Sequence, residues 1–310
     1  MEKRPFGKTG LMVSALTFGA WSIGGPAEMG GKQVGWSGVN DDDSIDALKA
    51  ALDGGINLFD TADVYGRGHS EELIGRAFAG AARDKVLISS KAGMVDNADG
   101  FKLDFSRQHL IETCEGSLRR LQTDHLDIYL LHLTIDGYPL TDDIRHTLEI
   151  LKAAGKIRHF GVSVQFAHQG VEQLEKRFGD SMMIEYSPLK RGAVEDVIRR
   201  AGEAGVGVIT RGALEKGLLS GKYRPGHRFA ADDVRSRIPT DYIDRVLARV
   251  EQIKGTTNLL AAALQFQQKQ PGVSTITVGM KTRRQVIDKI AALNETETLH
   301  DNPLDHLVAV

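Results

Sequence analysis

The 310 residues carry 39 Lys and Arg against 41 Asp and Glu, a formal charge of -2, with 41% hydrophobic and 26% charged residues. That balance, with no dense basic cluster, argues against a nucleic-acid binder. No run of about 18 apolar residues occurs, the opening MEKRPFGKTGLMVS has no apolar leader core, and a lone Cys114 can close no internal disulfide, so a cytoplasmic protein without membrane attachment is expected.

Short apolar runs then alternate with amphipathic segments. The first strand is ALTFGA (15–20), followed by a long excursion over 21–42. A helix begins after NDDDS, where Asp or Ser can cap free N–H groups, and stops at Gly54-Gly55. The second strand, INLFD (56–60), ends on a carboxylate, Asp60, and Tyr65 lies in the loop beyond it before the helix SEELIGRAFAG. The third, VLISSK (86–91), ends on Lys91. The next helix, SRQHLIETCEGSLRRL, places Cys114 in register with Leu110, Leu118 and Leu121, which marks it as core. The fourth strand, LDIYLLH (126–132), ends on His132. Four more strands follow between helical segments: IRHFGVS (157–163), MMIEYS (182–187), VGVITR (206–211) and STITVG (274–279). A second excursion covers 211–240 and leads into a further helix at about 241–253. Eight strand–helix pairs without a Pro/Ser-rich linker predict an α/β chain forming one (β/α)8 TIM barrel over 1–310. Both excursions follow strands, so both lie on the carboxyl-end face where barrel sites are built.

The usual nucleotide signatures are missing. GGK at 30–32 is followed by Gln33 rather than Ser or Thr, and no G-x-G-x-x-G opens a helix after the first strand. The ten histidines form no HExxH or comparable set, so no metal is expected. What remains is Asp60, Lys91 and His132 at the ends of three successive strands, with Tyr65 beside them. A free phenol, with a pKa of about 10, is a weak proton donor at neutral pH. A lysine ammonium about 4 Å away, at an effective dielectric of about 20, interacts with phenolate by roughly 4 kcal/mol and should acidify it. Asp60 can keep a buried Lys91 charged. His132 can hydrogen-bond a substrate oxygen, with Tyr65 as proton donor and a reduced nicotinamide as hydride source.

These segments, FGKTGLMVSALTFGAW, GINLFDTADVYG, ISSKAG, DIYLLH, GKIRHFGVS, GLLSGKY and TITVGMKTRRQV, resemble the aldo-keto reductases over nearly the whole chain. The resemblance implies that Asp60, Tyr65, Lys91 and His132 form the family's catalytic tetrad. It also implies NADPH as cofactor, lying across the carboxyl-end face. Its adenine and 2′-phosphate would be met after the last strand, at Gly279, Lys281, Gln285 and Asp288. Lys281 with Arg283 or Arg284 could neutralise the phosphate. The family often has Asn where this chain has Lys289.

The nicotinamide end departs from the family pattern. Ser163 is kept, but Val164 stands where Asn is common, Met183 where Gln is common, and Arg211 where an aromatic residue usually stacks. On one reading Arg211 stacks on the ring and reaches the pyrophosphate. On another, hydride transfer is lost and the barrel acts as a lyase or isomerase through Tyr65 and Lys91, or binds a ligand in a regulatory role. The resemblance suggests a small-molecule carbonyl or sugar-like substrate, with Trp21 and Trp36 near it or pinning the loop. Lys222, Arg224, His227 and Arg228 would suit an anionic substrate or the cofactor phosphates. A closed barrel has no edge strand that demands a partner, which leaves the oligomeric state open.

Overall fold

The computed structural model describes residues 1–98, 100–133, 135–253, 258–295 and 304. Its centre is a closed barrel of eight parallel strands: β1 (Leu16–Gly19), β2 (Leu58–Asp60), β3 (Leu87–Ala92), β4 (Leu126–Leu133), β5 (Ile157–Val164), β6 (Ser181–Glu185), β7 (Gly207–Arg211) and β8 (Thr275–Gly279). Each strand pairs with its neighbour in sequence, and β8 closes on β1. All eight coincide with the expected apolar runs to within about two residues at the ends. The outer helices are α1 (Asp41–Asp53), α2 (His69–Phe78), α3 (Arg107–Leu121), α4 (Asp142–Ala153), α5 (Ala167–Glu175), α6 (Ala193–Ala204), α8 (Leu259–Lys269) and α9 (Arg283–Leu293), with α7 (Thr240–Ile253) inserted after β7.

Local chemistry fixes these bounds. Asn40, rather than the Asp or Ser residues after it, caps α1 by accepting from the Asp43 N–H, while Asp41, Asp42 and Asp43 face the positive end of the helix dipole. Gly54 caps the other end as expected. Cys114 is fully buried, and burial pushes its thiol up to about 12, which suits a core filler.

Three features were not legible as strands. An antiparallel hairpin, Lys3–Pro5 with Met12–Ser14, closes the amino end of the barrel. Its Phe6, Leu11 and Val13 pack against the interior residues Leu58, Ile128, Leu130, Met183 and Ile209. Complete burial of each such side chain stabilises by roughly 1.5–3 kcal/mol. Small hairpins also form at Glu28–Met29 with Lys32–Gln33, and at Met94–Asn97 with Gly100–Leu103. The second makes the segment after β3 another long excursion at the carboxyl-end face.

The segment after β7 has its own apolar core, in which Leu218 and Leu219 pack with Ile243, Val246, Leu247 and Val250 of α7. It is tied across the barrel mouth to the excursion after β1. Val234 donates its N–H to Gly35 O at 3.0 Å, Arg237 donates to Gln33 O at 3.1 Å, and Ser37 donates to the Asp233 carboxylate at 3.3 Å.

Candidate active site at the barrel mouth

Strand periodicity explains how the site assembles. Alternate residues of a strand face the same side, so interior Leu58, Ile128, Met183 and Ile209 put Asp60, His132, Glu185 and Arg211 on the same face at the carboxyl ends. Ser89 and Lys91 continue this pattern on β3. Ser163 lies opposite His132 in the β4–β5 ladder and is almost fully buried.

Lys91 is wholly buried. Its Nζ donates to both Asp60 carboxylate oxygens at 2.8 Å and to Thr61 O at 2.7 Å. It also stands 4.8 Å from the centre of the Tyr65 ring. Burial acts against its ammonium, yet Asp60, then Tyr65, outweigh it and raise the Lys91 pKa, so the group stays charged. Burial pushes the Asp60 carboxyl up, and Lys91 pulls it back.

Tyr65 differs from the sequence expectation. Lys91 does favour its phenolate, but burial is the larger influence and Asp60 adds to it, so the phenol is raised rather than acidified overall. His132 meets Tyr65 edge-on with ring centres 6.1 Å apart. Burial, then the charges of Lys91 and Arg211, hold the His132 pKa well below its ordinary value. Its imidazole is therefore neutral at pH 7, and its buried Nδ1 has no partner among the described residues. Trp21 stacks on Tyr65 at 6.0 Å, and Trp36 meets Trp21 edge-on at 5.3 Å. Trp21 also donates from Nε1 to Val34 O at 2.9 Å, which pins its own loop, whereas the buried Trp36 Nε1 finds no acceptor among the described residues.

From these rings a cleft of about 600 Å³ runs toward α9. Asp60, Tyr65, Trp21, Trp36, Arg211, Gly279, Lys281, Gln285 and Asp288 all line it. Gln285 accepts from the Lys281 N–H at 2.9 Å, and Lys281 Nζ donates to Ser37 O at 2.6 Å while lying 5.4 Å from the centre of the Trp36 ring system. Arg211 is held by the Glu185 carboxylate at 3.0 Å and by Gln165 Oε1 at 2.9 Å. Burial would raise the Glu185 carboxyl, but Arg211 and Lys190 draw it down to about 2.

Arg283 does not join the cleft. Its guanidinium is exposed and clamps Asp46 of α1 through bonds of 2.8 and 2.6 Å. Arg284 likewise pairs with Asp288 at 2.8 Å. Of the basic loop residues, Lys222 lines the cleft, while Arg224 pairs with Glu251, Arg228 pairs with Asp244, and His227 packs on Tyr223 with its ring tilted by 36°.

Sequence reasoning missed Arg235. It joins Asp233 at 2.7 Å, donates to Tyr223 Oη at 2.8 Å, and lies over Phe229, Trp36 and Tyr223 with its guanidinium carbon 4.1, 4.9 and 5.5 Å from their ring centres. Aromatic residues flanking an Arg in a long post-strand segment were the available signal. Lys289, noted only as a departure from Asn, also lines the cleft, with its ammonium lowered to about 8 by burial against the pull of Asp288.

The fold is a (β/α)8 barrel with its polar side chains gathered at the carboxyl-end mouth, where barrel enzymes carry their active sites. The family model for the aldo/keto reductase family matches residues 15–308. The chain is 30% identical to aldo-keto reductase YhdN of Bacillus subtilis, over 91% of this chain and 85% of that protein. It is also 30% identical to the NADH-specific methylglyoxal reductase of Escherichia coli, with 95% and 94% covered. Among solved structures, aldo-keto reductase AKR11C1 from Bacillus halodurans in its holo form superposes with a TM-score of 0.78 at 30% identity, covering 96% of this chain and 92% of that one. The chain belongs to the aldo/keto reductase family.

Proposed function

We propose that this barrel reduces aldehyde or ketone carbonyls of small molecules with NADPH, or runs the reverse oxidation, with Tyr65 as proton donor. The observation that carries this reading is the fully buried Lys91, charged by Asp60 at 2.8 Å and placed under the Tyr65 ring beside an unpartnered His132 nitrogen. A structural ion pair would need neither the phenol nor the vacant imidazole donor site.

The residues of the cleft fit a dinucleotide. Trp36 Nε1 and Thr277 Oγ1 are buried polar atoms without partners among the described residues, and both residues face the cleft. Gly212 lines it too, where a Cβ would come within 3.0 Å of the Glu185 side chain. Ser163 and Arg211 would hold the nicotinamide end, while Gln285 and Asp288 would meet the adenine. Lys281, Lys222 and Arg235 form a cation group at the rim. Burial lowers the Lys281 pKa first, Asp233 opposes it, and the neighbouring charges of Arg235 and Lys222 add to the lowering. The presence of Lys281 and Lys222 in the cleft lining supports a 2′-phosphate ligand, with Lys281 rather than Arg283 as its main contact.

The bound reduced nicotinamide would supply the hydride. Tyr65 would give its proton to the developing alkoxide, with the Lys91 charge favouring the phenolate left behind. Neutral His132 would donate to the substrate oxygen and set its angle. Trp21 and Trp36 wall the approach to Tyr65, which suits a compact carbonyl compound or a sugar-like face. The name of the Escherichia coli relative, a methylglyoxal reductase, supports a small carbonyl substrate.

The test is a calorimetric titration with NADPH and, separately, NADH, followed by a carbonyl-substrate screen. NADPH binding that is weakened by Lys281→Ala and left unchanged by Arg283→Ala is the expected result. Binding of neither dinucleotide at millimolar concentration would remove the redox reading and turn attention to Tyr65 and Lys91 in elimination or isomerisation.

A further inference from the structure

We propose that a second cavity, behind the turn that carries Tyr65, is a binding site for a small ligand bearing an oxyanion, either a carboxylate or a phosphate. This proposal does not depend on the reading of the barrel mouth. The cavity, about 450 Å³, lies between the 63–67 turn, the Met94–Leu103 hairpin and one face of α3. Asp63 and Val64, immediately before Tyr65, form part of its wall.

Counting which hydrogen-bonding groups are already committed shows what the site has left to offer a ligand. Asp96 is held by Arg67 at 2.8 Å and by the Gly30 N–H at 2.8 Å, while Glu112 accepts from Gln108 at 2.9 Å and, its partner being neutral, keeps a charge that Arg119 offsets. Asp63 accepts from the Val64 N–H at 2.9 Å, and burial together with the nearby Glu71 raises its carboxyl to about 7, so it is partly neutralised at physiological pH. The cations are less committed. Arg120 spends only its Nε, on Glu71 at 2.8 Å, and its two Nη groups have no acceptor among the described residues. Arg119, exposed on the same helix, likewise has no side-chain partner among them. The uncommitted donors are therefore cationic.

The Arg120 fork is held in place rather than loose. Its guanidinium passes between two glycines: a Cβ on Gly68 would fall 2.5 Å from Cδ, and one on Gly116 would fall 3.1 Å from Nη1 and 3.5 Å from Nη2. Gly116 and Arg120 both line the cavity, so the Nη edge borders it. A planar fork with two parallel N–H groups matches a carboxylate or phosphate edge, and Arg119 in the same lining offers further N–H donors.

The position gives such a ligand a physical route to the barrel mouth. Glu71, fully buried, links Arg120 to Ser90 Oγ at 2.6 Å, and Ser90 precedes Lys91. An oxyanion competing for Arg120 would alter the counter-charge that Glu71 sees one residue from Lys91.

The experiment is a ³¹P NMR linewidth titration of inorganic phosphate into the full-length protein, in the wild type and in Arg119→Glu, Arg120→Lys and Lys281→Ala. The Lys281 variant separates this cavity from the cation group at the mouth, and Arg119→Glu, on an exposed helix face, keeps the test valid if Arg120→Lys disturbs folding. We expect saturable binding that weakens about tenfold or more in Arg119→Glu and Arg120→Lys, equivalent to about 1.4 kcal/mol, and survives in Lys281→Ala. No saturable binding by the wild type overturns the proposal, as does binding that survives both arginine substitutions.

Discussion

Asp60 and Lys91 illustrate how a residue's chemistry is set by what it is denied. Taken out of water, each alone would abandon its charge; held at 2.8 Å, the lysine keeps its proton and presents a fixed positive charge to Tyr65. Asp60→Asn removes that support, so burial then governs Lys91, its amine loses the proton more readily, and Tyr65 loses the charge that favours phenolate. A fall in kcat with little change in NADPH affinity, read from steady-state kinetics beside a binding titration, is the expected outcome. Tyr65→Phe should cost about 10²–10⁴ in kcat, the usual worth of a positioned proton donor. The pH dependence has a definite sign. Because the Tyr65 pKa lies above its ordinary 10.0, the phenol keeps its proton through neutral and mildly alkaline pH. Carbonyl reduction should therefore hold level there, while alcohol oxidation, which needs the phenolate as base, should climb as pH rises. Profiles of kcat in both directions between pH 6 and 10 would check this, and an oxidation rate that is flat with pH would remove Tyr65 from the proton step. That these side chains meet was legible because Asp60, Lys91 and His132 stand at strand ends whose period-two pattern points them inward. The raised phenol was not, because a sequence names the charged neighbour without giving the depth of burial.

At the scale of elements, the two excursions over the mouth act together. The apolar segment after β7 is anchored by α7 and reaches the excursion after β1 through Val234, Arg237 and Arg235. Arg235 is the hub, since it grips Asp233 and also lies over the Trp36 ring system. Arg235→Ala should loosen this strap: amide exchange over residues 33–38 should quicken and cofactor dissociation should accelerate, measured by hydrogen–deuterium exchange and stopped-flow fluorescence. The excursions were recognisable from their length and their place after strands. Their fastening was not, because it depends on backbone pairing between segments far apart in the chain. The amino-terminal hairpin was missed for a related reason: KRP and MVS are too short to show alternation, and only the open barrel end gives Phe6, Leu11 and Val13 something to cover. Phe6→Ala should cost about 3–5 kcal/mol in denaturant unfolding, the range for a buried Phe truncated to Ala.

For the molecule as a whole, eight strands were countable because apolar runs and amphipathic helices alternate without a break, and closure follows when the last strand pairs with the first. Closure would also make cofactor binding measurable as stability, since the cleft gathers residues from both ends of the chain: Trp21 and Trp36 after β1, Arg211 at the end of β7, Lys281 and Gln285 after β8. A ligand that binds only the folded barrel stabilises it by about 2.7 kcal/mol at a hundred times its dissociation constant. At 2–4 °C per kcal/mol or somewhat less for a chain of this size, that is a rise in melting temperature of about 5 °C. NADH lacks the phosphate that Lys281 would meet, a charge-assisted contact worth roughly 1.5–3 kcal/mol, so its shift at equal concentration should be smaller by about that free energy. Lys281→Ala should bring the two shifts together by lowering the NADPH value alone. Arg283→Ala, which only releases Asp46 on the far side of the helix start, should leave the difference intact. Differential scanning fluorimetry of the wild type and both variants with each dinucleotide decides the matter: equal shifts in the wild type would place the cation group in service of the substrate rather than the cofactor.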